Sequence, residues 1–395
     1  MKYILPKGFL ANATHCGIKR IKKDLTLIYS KSDCTAAAIF TKNKVKAAPI
    51  LVSKAVLKKA EPTRAIIVNS GNANCCTGPN GLRDAKRMIE AVAKGLKLKF
   101  NNILVSSTGI IGKKLPIESI ENAVLKLVKG LSPRGLKSAV LGIMTTDKTR
   151  KVNIEKVSIG KKEIIICGIA KGAGMIHPNM ATMLCFIMTD AKIDRGTLKC
   201  ALKEANKTSF NSITVDGDMS TNDTVILLAN GMANNPTIKK KTKEYKLFLK
   251  ALESVMGKLA KKIIETGEGA TKLITVTVKN ARIATDAEKV ARSIAMSSLV
   301  KTSVHGENPN WGRVASSIGA AGASFIKPNK FEIHLDKVCV FKDGRFTHPS
   351  KERFCKVYKR KNVDITVNLN IGSKYAKVWT CDLSKRYVEI NSHYS

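Results

Sequence analysis

Three kinds of side chain in this sequence could do chemistry. Cys167 and Cys185 are thiols, but each lies inside an apolar run, residues 164–170 (IIICGIA) and 183–188 (MLCFIM). A cysteine in such a run serves as a small, inert core residue. His177 stands before Pro178 in the polar stretch between those runs and could act as a base. No Ser-x-Gly elbow accompanies it, so it reads as a turn histidine. Asp216, Asp218 and Asp223 in DGDMSTND offer carboxylates, yet their spacing misses the calcium loop and its terminal Glu. Ten scattered cysteines, two of them adjacent at Cys75-Cys76, include no paired CxxC and do not support a structural zinc site.

The elements that must position these groups follow from periodicity. Residues 64–68 (RAIIV) read as a buried strand, followed by a polar loop at 69–74 (NSGNAN). A helix is expected over 81–96, with Met88, Ile89, Val92 and Ala93 on one face. Residues 103–105 form a strand entering a loop at 106–109 (SSTG), a common place for a binding site. The run 164–170 empties into KGAGM, and Pro178 forbids a regular ladder before the second run. The spacing of Phe248, Leu252, Val255, Leu259 and Ile263 predicts a helix over 245–265, capped by Gly267-Glu268-Gly269. A strand follows at 273–278. Thr285 and Glu288 then have the form of a capping box for a helix containing Val290, Ala291 and Ile294. Residues 331–335 and 363–369 alternate as half-buried strands, with Asp343-Gly344 as a hairpin turn. Mixed helices and strands imply a layered α+β architecture, and no Walker loop is present.

Composition bounds the answer from outside. The chain has 395 residues, enough for two or three domain-sized units, and 44% are apolar. No secretory or membrane-spanning run stands out, and the cysteine usage fits a reducing cytoplasm. The formal charge is +39, from 69 Lys and Arg against 30 Asp and Glu. The lysines are spread over nearly every segment without interleaved aromatics, and no RNP, KH or zinc-finger pattern appears. They read as a solvated surface rather than a nucleic-acid stripe, although a basic nucleic-acid-binding protein is one alternative function.

Taken together, the polar loops resemble the ArgJ family, glutamate N-acetyltransferase, also called ornithine acetyltransferase. The segments that carry the resemblance are NSGNANCCTG (69–78), STGIIG (107–112), MTTD (144–147) and KGAGMIHPNMATML (171–184). DGDMSTND (216–223), GEGATK (267–272), NPNWGR (308–313) and the ending at Asn391 follow in family order. Asn308 departs from the family, which more often has Asp there.

The resemblance implies an αββα layered sandwich with a smaller C-terminal α+β portion from about residue 280. It implies self-cleavage between Ala181 and Thr182 into chains 1–181 and 182–395, which stay together as an α2β2 heterotetramer; the cut is not a domain boundary. Thr182 would be the nucleophile, and its freed α-amino group, with an ordinary pKa of about 8, the general base. Thr108 and Gly109 would form the oxyanion hole. Substrate binding would fall to Thr145, Thr146, Lys171, Thr182, Glu268, Asn391 and Ser395. The implied reaction moves an acetyl group from N2-acetyl-L-ornithine to L-glutamate through an acetyl-Thr ester. Relatives differ in whether acetyl-CoA is a second donor, and that point stays open. No metal or other cofactor is implied. An N-terminal-threonine amidase or aminopeptidase on the same scaffold is the nearest alternative.

Overall fold

A computed structural model describes residues 3–177 and 183–393. Two compact units divide them: 3–172, 183–211 and 219–263 in the first, and 173–177, 212–218 and 264–393 in the second. The fold is a mixed α+β arrangement of layered sheets and helices. No helix among the described residues is long and apolar enough to cross a membrane.

The first unit is built on eight strands: β1 (Phe9–Thr14), β2 (Leu25–Phe40), β3 (Thr63–Asn72), β4 (Ile103–Ile110), β5 (Lys151–Ile159), β6 (Lys162–Lys171), β7 (Leu184–Thr189) and β8 (Thr224–Ala229). Their order is β4-β3-β2-β8-β7-β6-β5, with β1 against β2. β2 changes partners along its length. Its first part pairs with β1 and β3, the register shifts between Tyr29 and Cys34, and Thr35–Phe40 pairs with β8. β7 (LCFIMT) and β8 (TVILLA) are parallel and buried at every residue, as continuous apolar runs in a central position should be.

Helices close over this sheet. Gly78–Leu96 carries Pro at its start, where a missing N–H costs nothing, and ends on Lys97 in the left-handed region. It buries Met88, Ile89 and Val92, as the periodicity requires, and packs on the helix Ile117–Lys129. Leu136–Ile143 packs on β1 and β2. Arg195–Lys207 starts on Asp194, whose side chain accepts the Thr197 N–H at 2.9 Å.

The second unit holds β9 (Leu273–Ala281), β10 (Glu332–Leu335), β11 (Val338–Lys342), β12 (Arg345–Phe346), β13 (Asn362–Asn368) and β14 (Lys374–Cys381), in the order β12-β11-β10-β13-β9-β14. Asp343 and Gly344 have φ of 52° and 76° and join β11 to β12 in the expected hairpin. Trp311 of the NPNWGR segment stacks on Phe341 and Phe346, and Asn310 caps its helix by accepting the Arg313 N–H at 3.1 Å.

Two local expectations are corrected. Residues 69–72 and 106–109 are not loops but the ends of β3 and β4, which pair in parallel. Asn69, Ser70 and Ser107 are polar yet buried, because each finds a partner inside the protein. The Ser107 hydroxyl donates to Asn69 Oδ1 (2.5 Å), Asn69 Nδ2 to the Asn72 carbonyl (2.8 Å), and the Ser70 hydroxyl to the Gly142 carbonyl (2.5 Å). The Thr285 capping box does not form either. The helix Ala284–Met296 begins two residues earlier, with Ile283 in the cap position and no side-chain cap. Asp286 in its first turn instead accepts the N–H groups of Ser324 and Phe325 (3.0 and 2.9 Å).

Gly168 in β6 lies beneath the helix Lys243–Glu265, where a Cβ would stand 2.7 Å from Leu259 Cδ1 and 2.8 Å from Val255 Cγ1. Gly168→Val should therefore overpack this contact and destabilise the protein by about 1–3 kcal/mol. A lowered urea midpoint at unchanged slope is the expected result.

Candidate active site

Strand direction explains why the motif loops of the first unit meet. β6 and β7 run antiparallel with Lys171 opposite Leu184, and β7 and β8 run parallel with Leu184 opposite Thr224. β2 brings Phe40 opposite the same Thr224. The end of β6, the starts of β7 and β8 and the end of β2 thus lie in one row. On the neighbouring parallel pair, Ser70 stands opposite Thr108 and Gly71 opposite Gly109.

Asn222 joins the two sets. Its buried Nδ2 donates to the carbonyls of Ala73 (2.7 Å) and Ser107 (2.8 Å). Asp223, fully buried, accepts the Met183 N–H at 3.0 Å through Oδ1, while Oδ2 has no partner among the described residues. Burial holds its carboxyl well above the ordinary carboxylate range, against the opposing pull of the Met183 N–H and Lys171.

Lys171 and Thr108 are brought together in the interior. The Lys171 ammonium donates to Thr108 Oγ1 at 3.1 Å, and both residues are buried. A hydroxyl that accepts from an ammonium keeps its own proton to donate elsewhere. Gly109 has φ 137° and its backbone lies against Gly71, so a side chain there would be both strained and blocked. Asp147 organises the other flank. Its Oδ1 accepts from Lys151 Nζ (2.6 Å) and from the Gly172 N–H (2.8 Å), and its Oδ2 accepts the Thr145 N–H (3.1 Å). Burial would raise its pKa, but Lys151, Lys171 and the Gly172 N–H outweigh it and hold the carboxyl below its ordinary value. Thr145 and Thr146 are half-buried.

The second unit holds Glu268 and Asn391. Glu268 follows the helix Lys243–Glu265, is buried, and donates its N–H to the Ala173 carbonyl at 2.9 Å. Gly174 leaves room for its carboxylate, which a side chain there would strike. Asn391, exposed at the end of the helix Lys385–Asn391, donates from Nδ2 to Glu268 Oε2 at 3.1 Å. Asp216 accepts the N–H groups of Met175 (2.6 Å) and Ile176 (2.8 Å) and the Tyr387 hydroxyl (3.2 Å). Asp216 and Asp223 are thereby spent on fixing backbone. Among the described residues no three of His, Cys, Asp and Glu gather as a metal cage. His177 is half-buried, and burial together with Arg292 keeps its pKa below the ordinary value. Cys167 and Cys185 are fully buried, and burial pushes both thiols up, which leaves them inert. Ala181, Thr182 and Ser395 lie outside the described residues.

Sequence reading missed Lys19. Its Nζ donates to the carbonyls of Met144 (2.5 Å) and Lys23 (3.0 Å), so it steadies the MTTD segment. Burial, aided by Lys171 and Lys22, lowers its pKa to about 8 against the pull of Asp24 and Asp147. In so lysine-rich a chain, nothing local marks this one out. Asn222 and Asp223 were inside a quoted motif, but their partners are distant in sequence.

The family model described as the ArgJ family matches residues 10–395. The arginine biosynthesis bifunctional protein ArgJ of Thermotoga neapolitana is 45% identical over 395 residues, covering 99% of each chain. Its counterpart from Caldanaerobacter subterraneus is 46% identical over 397 residues, covering 100% of this chain and 98% of that one. The crystal structure of the arginine biosynthesis bifunctional protein from Bacillus halodurans is 41% identical, with a TM-score of 0.51, and covers 53% of this chain and 98% of that one.

Removing the Asp147 charge should strand the Lys151 ammonium, whose side chain is fully buried. Asp147→Asn is expected to cost about 3–5 kcal/mol near neutral pH. Because the folded pKa of Asp147 is lowered, its contribution is present above the unfolded value of about 3.9 and is lost as pH falls through the folded value. Urea unfolding as a function of pH should show that acid loss in the wild type and a shallower slope in the variant.

Proposed function

The chain belongs to the ArgJ family and is an acyltransferase of arginine biosynthesis, and we propose that Thr182 is both the product of its self-cleavage and its nucleophile. Cleavage after Ala181 would leave chains 1–181 and 182–395 and free the Thr182 amine to act as base. Thr182 Oγ then attacks the acetyl carbonyl of N2-acetyl-L-ornithine, and ornithine leaves with the proton. The acetyl-Thr ester passes its acetyl group to the amine of L-glutamate, in two half-reactions through one intermediate.

The observation that carries this reading is the buried Lys171 ammonium on Thr108 Oγ1, beside the left-handed Gly109. That pairing leaves the Thr108 proton directed to a further acceptor, and Gly109 permits close approach of backbone to a developing oxyanion. Glu268, buried and held by Asn391, supplies a carboxylate for the ornithine ammonium. One of Thr145 and Thr146, together with Lys171 and Ser395, completes the set assigned to substrate.

The word bifunctional in the relatives' names supports a second activity, which we assign to acetylation of glutamate from acetyl-CoA. We further place the cleaved chains together as an α2β2 heterotetramer in the cytoplasm.

Denaturing mass analysis should find the two chains, the second beginning with Thr182, while Thr182→Ala stays full length and inactive. An intact wild-type chain with full transferase activity would sink the mechanism. Labelled acetyl should move from acetylornithine to glutamate with little free acetate; acetate without acetylglutamate would instead identify an amidase. Thr108→Val should lower kcat by roughly 100-fold, the effect of losing one oxyanion donor of about 3 kcal/mol. Glu268→Gln should raise KM for acetylornithine about tenfold or more, since a charge-assisted contact to the bound ammonium is lost.

A further inference from the structure

The adjacent thiols Cys75 and Cys76 stand outside the residues assigned to acetyl transfer. Their sulfurs are 3.8 Å apart, with Cys75 fully buried and Cys76 exposed. Asn74 and Cys76 flank Cys75 with φ of 45° and 58°, a left-handed turn that folds the two side chains toward each other. Cys75 packs with Ala47, Ile50 and Ala73 in a small apolar cluster, so its sulfur is anchored while that of Cys76 meets solvent.

This turn is stitched to the strand end that carries Thr108 and Gly109. The Cys75 carbonyl accepts the Gly112 N–H at 3.0 Å, and the Ala73 N–H donates to the Ile110 carbonyl at 2.9 Å. Asn222 bridges the Ala73 and Ser107 carbonyls from the other side. Movement at 73–76 is therefore transmitted to both ends of the segment 107–112.

We infer that Cys75 and Cys76 form a reversible modification site, a dithiol that closes to a disulfide by exchange with a low-molecular-weight disulfide. The exposed Cys76 thiolate attacks one sulfur of the small disulfide, forming a mixed disulfide and expelling one thiolate. The released thiolate takes the Cys75 proton, and Cys75 sulfur then attacks Cys76 sulfur. The second small group leaves as a thiolate and takes up the proton that Cys76 gave to solvent, so two protein thiols and one small disulfide become one protein disulfide and two small thiols. Cys75 sulfur reaches its target without entering solvent; burial raises its pKa, so passing its proton outward to the released thiolate limits the closure.

Closure must shorten the sulfur separation from 3.8 Å to about 2.05 Å. Consecutive Cα atoms are about 3.8 Å apart, below the usual disulfide span, so the link is strained and small thiols reopen it. The anchored Cys75 side chain passes the shift to the backbone of 73–76 and so to Thr108 and Gly109. This coupling rests on the oxyanion role proposed for those two residues, whereas the modification itself does not.

The test treats the processed wild-type protein with oxidised glutathione and follows two readouts. The tryptic peptide between Arg64 and Arg83, which contains only these two cysteines, should lose the mass of two hydrogens and regain it with dithiothreitol. Acetyl transfer should fall at least about tenfold in step and recover with the reductant. Cys76→Ser should show neither change, and Cys75→Ala should hold a stable glutathione adduct on Cys76. Absence of the mass loss, or a mixed disulfide that persists on wild-type Cys76, overturns the site. Mass loss with undiminished transfer overturns the coupling. A protein that never transfers acetyl refutes the functional reading, and its peptide mass still decides the site.

Discussion

A carboxylate sealed from water must be neutralised where it stands, and Asp147 meets that demand with three partners, two close by in sequence and one twenty-five residues on. Lys151 supplies the counter-charge from the start of β5, Gly172 an N–H from just beyond β6, and Thr145 an N–H from the preceding loop. An unpaired charge at this depth would cost several kcal/mol, so the three segments are held to one geometry. The position of Lys171, one residue from Gly172, follows from that constraint, and with it the contact to Thr108.

Strand direction sets the rest of the first unit's site. Parallel neighbours begin at the same edge, so β7 and β8 bring Met183 and Asp223 into direct contact despite forty residues between them. Antiparallel β6 returns its last residue to that edge. Asn222 then uses one amide nitrogen to fasten the β3 and β4 ends to this row. Such buried amide contacts are costly to break, because each would leave a carbonyl without a partner. The second unit applies the same logic to its own segment, where Asp216 and Glu268 fix residues 173–176 through backbone groups.

Much of the fold was legible from periodicity. The helices expected over 81–96 and 245–265 stand at 78–96 and 243–265, the Asp343-Gly344 hairpin forms, and the apolar runs 164–170 and 183–188 become β6 and β7. Errors arose where polarity was taken for exposure. Asn69, Ser70 and Ser107 look like loop residues because their side chains are polar, yet they lie in strands and find partners inside the protein, Ser107 on Asn69, Asn69 on the Asn72 carbonyl and Ser70 on the Gly142 carbonyl. Thr285 had a capping pattern, but tertiary contacts drew Asp286 to the backbone of Ser324 and Phe325, and the helix began elsewhere.

By itself the sequence determined the apolar runs, most element types and, through its ordered motifs, the family to which the chain belongs. Those properties are local or additive along the chain, so they survive in one dimension. Tertiary structure alone decided that Lys171 meets Thr108, that Lys19 steadies Met144, and that Asp216 and Asp223 fix backbone in different units. Pairings of this kind depend on strand order and on which polar groups are left to satisfy one another once water is excluded. No spacing along the chain encodes that outcome, because each partner is supplied by a segment that folding brings from far away.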